Sequence, residues 1–137
     1  MAVFVADASA TLAWCFEDEA NSWTDGLLDR LQHGDRIVVP AHWPTEILNG
    51  LLVASRRKRI KPGQPPSFWD ELARLPIETE QPLTVMQAKA VLALSEKHGL
   101  TVYDAAYLEL AFRRQLPLAT LDADLRNAAQ VEGAALL

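Results

Sequence analysis

Thr101 to Leu125 reads TVYDAAYLELAFRRQLPLATLDADL, and this stretch decides the fold. Between Tyr103 and Phe112 the only charged residues are Asp104 and Glu109. A helix apolar on nearly every side belongs in a core. Arg113, Arg114 and Gln115 mark its end, where cations suit the helix dipole, and Pro117 prevents continuation. Leu118-Ala119-Thr120-Leu121 then reads as a short buried strand, with Asp122 at its carboxyl end. Asp104 and Asp122 thus frame one buried helix–strand unit. A carboxylate beside a core is unfavourable unless it is paired or bound to a cation, so both acids need a reason to be there.

Upstream, the same alternation repeats. Val3-Phe4-Val5-Ala6 is an apolar run of the kind that fills a parallel strand buried on both faces, and Asp7 ends it. Ala10–Phe16 follows at helical spacing, with Asp7 or Ser9 as its N-cap. Asn21–His33 is a second helix, stopped by Gly34. Arg36–Val39 is a second strand, closed by Pro40. A helix beginning near Pro44 carries Glu46 in its first turn and Asn49 three residues on, on the same face. Asparagine has poor helix propensity, so Asn49 hints at a hydrogen-bonding task. Gly63, Pro65 and Pro66 read as a loop, Ser67–Leu75 as a short helix, and Ile77–Glu80 as a strand at or near an edge. Thr84 and Gln87 match a capping box for a helix over Thr84–His98, whose apolar face is expected at Val85, Ala88, Leu92 and Ser95, widened by Val91 and Leu94. After Asp122, a brief helix over Asp124–Gln130 precedes an apolar tail, Ala134–Leu137, that reads as a last strand. Strands alternating with helices define an α/β chain with a mainly parallel sheet.

The bulk composition narrows the class further. The 137 residues suit a single domain, and a hydrophobic fraction of 50% excludes disorder. A formal charge of -5 argues against a basic nucleic-acid coat over the whole surface. It leaves room for a local patch, and Arg56-Arg57-Lys58-Arg59-Ile60-Lys61 is the one dense basic run. Such a run is either a solvated helix end or a phosphate-binding surface. The lone Cys15 sits in an apolar run and reads as core packing. No secretory signal pattern or membrane-length apolar run is present, so a reducing, cytoplasmic setting is expected.

The acids carry the functional reading. In an open parallel sheet, sites form outside the carboxyl ends of the strands, where strand order reverses. Asp7, Glu46, Asp104 and Asp122 can all reach that edge. Each has a plain alternative as a helix cap or a favourable helix-dipole charge. Those alternatives do not account for the coincidence, because clustered carboxylates repel strongly in a low dielectric. Divalent cations resolve the conflict, and hard oxygen ligands suit Mg²⁺ or Mn²⁺, one or two per site. No His/Cys spacing suggests zinc. This chemistry fits hydrolysis of a phosphodiester, with the carboxylates holding metal and Ser9 and Thr120 orienting carboxylates or water. Two other classes compete. A receiver-like phosphoacceptor module would want adjacent acids after the first strand and a lysine after a late one; Val5-Ala6-Asp7 and Leu118–Leu121 supply neither. A non-catalytic binding module would use the acids as caps alone.

Four stretches, VADAS (Val5–Ser9), PTEILN (Pro44–Asn49), VYDAAYLELA (Val102–Ala111) and PLATLDADL (Pro117–Leu125), resemble the PIN-domain family and, within it, the VapC-type toxins of toxin–antitoxin pairs. The resemblance spans essentially the whole chain in the expected order. It puts the family's acids on Asp7, Glu46, Asp104 and Asp122, its small hydroxyl residues on Ser9 and Thr120, and its helix asparagine on Asn49. Asp124 falls where some relatives carry a further acid, and it is read as an outer ligand or a helix cap. The resemblance implies a three-layer α/β/α sandwich with about five strands. It also implies Mg²⁺- or Mn²⁺-dependent endoribonuclease activity, a homodimer, and a cognate antitoxin, with Arg56, Arg57, Lys58, Arg59 and Lys61 available to hold RNA.

Overall fold

The computed structural model describes residues 1–137. Strand β1 (Val3–Ala6) leads through Asp7 into α1 (Ala8–Leu12), which tightens into a 3₁₀ turn over Ala13–Cys15. Next come α2 (Ser22–Gln32), β2 (Arg36–Val39), α3 (Trp43–Arg56), α4 (Gln64–Ala73) and β3 (Ile77–Thr79). The chain ends with α5 (Val85–His98), α6 (Val102–Arg114), β4 (Leu118–Ala119) and α7 (Ala123–Glu132). The sheet is wholly parallel, in the order β3-β2-β1-β4.

That order follows from the sequence. Phe4, Val5, Ala6, Ile37, Val38 and Val39 are all buried, as a strand covered on both faces requires. From β1 the chain steps outward to β2 and β3, then returns past β1 to place β4 on its other side. Right-handed crossovers set the helices of the outward path on one face and those of the return on the other. The packing agrees: α3 touches α1 and α4, while α6 touches α5, α7, β1 and β4. Four strands form where about five are expected. The tail over Ala134–Leu137 makes one parallel bridge, Leu118 to Leu136, because β4 is only two residues long and offers little more to pair with.

Helix α6 is the core helix its composition demands, with every residue from Ala105 to Ala111 buried. Its one buried charge, Glu109, is paired with Arg113 at 2.8 Å. Helix α5 departs in part from expectation, packing through Val91 and Leu94 at the edge of its expected face. The face with Val85, Ala88 and Leu92 is exposed, and Val91 is the helix's only fully buried residue. Its apolar residues surround the axis, so periodicity alone does not select the packed side. Pro65 and Pro66 also lie inside α4, not in a loop, because proline fits the first helical turn, where the missing N–H has no partner to lose. The Cys15 thiol is buried and pushed up to about 11, mainly by that burial, which makes it packing and not a nucleophile.

Candidate active site

Strand order reverses between β1 and β4, and the carboxyl ends of these two strands hold Asp7 and Asp122. Both acids are helix N-caps, for α1 and α7 respectively. Asp7 is 3% exposed. Its Oδ1 accepts from Ser9 Oγ at 2.7 Å and from the Ala10 N–H at 3.1 Å. Its Oδ2 accepts from Thr120 Oγ1. Thr120 Oγ1 in turn accepts from the Asp122 N–H at 3.0 Å. One buried threonine therefore links the two strand ends through a single hydroxyl. Asp122 uses only Oδ1 for its cap, accepting from the Asp124 and Leu125 N–H groups. Its other oxygen is unengaged. Asp124 is exposed and is not the cap; Asp122 takes that place because the helix begins one residue earlier than its apolar pattern suggests.

Glu46 enters from the first turn of α3. Its Oε1 accepts from Tyr107 Oη at 2.7 Å, a contact spanning two helices. His42 Nε2 lies 3.3 Å from the same oxygen, yet it is buried without a hydrogen-bond partner because the contact is off the hydrogen-bond axis. The His42 ring meets Tyr103 and Tyr107 edge-on, at centroid distances of 5.4 and 5.3 Å. Asp104 is half-buried in the first turn of α6, which Thr101 caps through the Asp104 N–H at 3.1 Å.

The electrostatics tie the four acids together. Burial pushes the Asp7 carboxyl up to about 6; Thr120, Ser9 and the Ala10 N–H oppose the rise, and Asp104 adds to it. Burial also raises Asp104, with repulsion from Asp122 and then Glu46 adding to the effect. The Tyr107 hydroxyl is raised by burial and by the facing Glu46 carboxylate, so it stays a neutral donor. Asp104 thus feels each of the other three acids. No three of these side chains have the spacing of a ready-made metal cage. The donor set nonetheless suits a hard cation. It is all oxygen, it repels itself, and Glu46 and Asp122 each keep one oxygen outside their hydrogen bonds.

Sequence reasoning missed Tyr107 and His42. Tyr107 lies three residues after Asp104, on the same side of α6, and it is the one residue of that buried run with a neutral polar tip. That combination is the only signal the sequence offers. Tyr107→Phe is expected to weaken Mn²⁺ binding by roughly 10–100-fold, the usual effect of removing a group that orients a metal ligand, with little change in melting temperature. Calorimetric Mn²⁺ titration checks it, and wild-type affinity in the variant would remove Tyr107 from this role.

The basic run divides. Arg59 Nη2 contacts both oxygens of Asp18, at 3.0 and 3.1 Å, and its guanidinium stacks 4.5 Å from the Phe16 ring. It is the one member of the run already paired at the surface. Arg56, Arg57, Lys58 and Lys61 are exposed at and beyond the end of α3. A recess of about 580 Å³ runs from Ser9 and Asp122 past Asn49 to Arg57 and Arg59, connecting the acids to the basic end.

A four-stranded parallel sheet between helices, with acids gathered at its switch point, defines a PIN-like α/β protein. The sequence pattern of the PIN domain matches residues 4–131, and the chain belongs to the PIN domain family. It is 30% identical over 121 residues to Ribonuclease VapC3 of Pyrobaculum aerophilum, covering 88% of this chain and 90% of that protein. Among solved structures, PAE2754 from Pyrobaculum aerophilum superposes with a TM-score of 0.69 at 23% identity, over 93% of this chain and 87% of its own. VapBC2 from Rickettsia felis, solved bound to a DNA fragment from its promoter, gives a TM-score of 0.67 at 15% identity, over 98% and 97%. No helix is long and apolar enough to cross a membrane.

Proposed function

We propose that this chain is a divalent-metal-dependent endoribonuclease, the cytoplasmic toxin of a type II toxin–antitoxin pair, active as a homodimer and silenced by a cognate antitoxin protein. The observation that carries this reading is that four separate segments bring acids to the β1/β4 switch point, with Asp104 near enough to the other three for their charges to interact. Caps alone do not explain it, since Glu46 and Asp104 cap nothing through their carboxylates. The relationship to Ribonuclease VapC3 supports RNA as the substrate.

Asp7, Glu46, Asp104 and Asp122 would hold one or two Mg²⁺ or Mn²⁺ ions. When bound, such an ion supplies Lewis-acid activation of water and neutralises charge developing on the phosphodiester. The protein groups do the positioning. Ser9 and Thr120 fix the Asp7 carboxylate, Tyr107 fixes Glu46, and the first turn of α7 fixes Asp122. Arg56, Arg57, Lys58, Arg59 and Lys61 would neutralise phosphates away from the acids.

Purified protein with Mn²⁺ is expected to cut RNA, and excess EDTA is expected to stop it. Equal cleavage with EDTA present would end the metal reading; intact RNA across a mixed cellular pool would end the ribonuclease reading.

A further inference from the structure

A second recess, of about 330 Å³, opens on the α3 side of the acids, walled by His42, Thr45, Glu46, Asn49 and Tyr103. Its chemistry differs from that of the groove leading to Arg57. That groove sets Arg57 and Arg59 beside Glu19 and Asp122, whereas this recess has no lysine or arginine to offset Glu46 against a phosphate. A flat, neutral, hydrogen-bonding group has no such conflict. Tyr103 is 63% exposed although it stands beside the acids, and its ring is braced by His42, itself braced by Tyr107. A rigid aromatic left mainly to solvent offers a stacking surface whose ordering cost is already met by the fold. Thr45 and Asn49 are exposed on the same wall, and neither joins the hydrogen bond that links Glu46 to Tyr107. An asparagine carboxamide offers a donor and an acceptor side by side, which matches the paired groups on a base edge.

We propose that this recess is a nucleobase subsite: an unpaired base flanking the cleaved phosphodiester stacks on Tyr103 and is hydrogen-bonded by Asn49 and Thr45. The proposal rests on the ribonuclease reading above and adds to it a single-stranded substrate segment with a splayed base. Exposed bases in loops are the features of RNA that proteins read by stacking and edge hydrogen bonds. Two recesses meeting at Asn49 separate the tasks, with base recognition on one side and phosphate neutralisation on the other.

The test uses the full chain with Mn²⁺ and a single-stranded oligoribonucleotide that it cuts, replaced one position at a time by an abasic ribose. In the wild type, one position flanking the cut is expected to lose roughly tenfold or more in kcat/KM, the scale of one base–aromatic stack. In Tyr103→Ala, the intact RNA is expected to show a similar loss, and the abasic substitution at that position no further loss. Tyr103→Phe is expected to restore the position-specific penalty. Asn49→Ala provides a second reading that leaves the stacking surface in place, and it is expected to change which base is preferred at that position. Equal abasic penalties in wild type and Tyr103→Ala, with base preference unmoved in Asn49→Ala, would overturn the subsite alone. Failure of the wild type to cut any RNA would overturn the ribonuclease reading and the subsite with it.

Discussion

Asp104→Asn is expected to reduce RNA cleavage by about 10³-fold or more while leaving the protein at least as stable as the wild type. A bound divalent ion contributes several kcal/mol of charge stabilisation to phosphodiester hydrolysis, and each 1.36 kcal/mol is about a factor of ten. Asp104 is where the other acids' fields meet, since Asp7, Asp122 and Glu46 all repel it or are repelled by it. In the proposed site, neutralising it removes a ligand charge from the middle of the set. The same change relieves that repulsion, and α6 keeps its start because the cap belongs to Thr101 and uses the Asp104 backbone N–H. Cleavage kinetics and thermal melting on the same preparation check both halves. A variant retaining a tenth of the wild-type rate would remove Asp104 from the metal site, and a large fall in melting temperature would make it a structural residue.

Asp7→Asn is expected to stabilise the metal-free protein at pH 7, and the gain should vanish in acid. The Asp7 carboxyl titrates near 6 in the folded chain against an ordinary 3.8, chiefly because it is buried. Between those values the folded state holds more protons than the unfolded state, so this group's contribution to stability falls as pH rises from about 4 to about 6 and is flat beyond. The shift corresponds to roughly 3 kcal/mol at pH 7. Asparagine is an equally good N-cap and can accept from Ser9 and the Ala10 N–H, so α1 is retained. The difference in urea-unfolding free energy between variant and wild type, followed from pH 4 to pH 7 in EDTA, isolates this group. Curves that stay parallel across that range would show that Asp7 carries no such penalty. Saturating Mn²⁺ is expected to stabilise the wild type by mass action and the variant far less.

These two experiments turn on residues that the sequence itself marks. Asp7 and Asp122 follow short apolar runs that read as buried strands, the second of which shortens to Leu118–Ala119, and the carboxyl end of such a strand is a defined place in a parallel sheet. Glu46 and Asp104 sit in first turns of helices; Pro44 signals the start of the first, while the second begins at Val102, two residues before Asp104. The strand-end and first-turn positions therefore follow from local chemistry. The linkages between them do not. Thr120 reaching Asp7 crosses 113 residues of chain, and Tyr107 reaching Glu46 crosses 61, so neither pairing leaves a trace in any local window. The orientation of α5 is lost for a related reason. Its apolar residues go all the way round, and only the neighbouring α6 decides that Val91 turns inward while Met86 stays 73% exposed. The last strand was legible as an apolar tail, but the two-residue length of β4 reduces it to a single bridge.

The capping role of Asp122 has a practical consequence. Because α7 is held by one carboxylate oxygen accepting backbone N–H groups, an amide oxygen can do the same work without the negative charge. Asp122→Asn should therefore yield a correctly shaped protein that lacks one of the four carboxylates of the proposed site and remains usable as bait for whatever normally binds it.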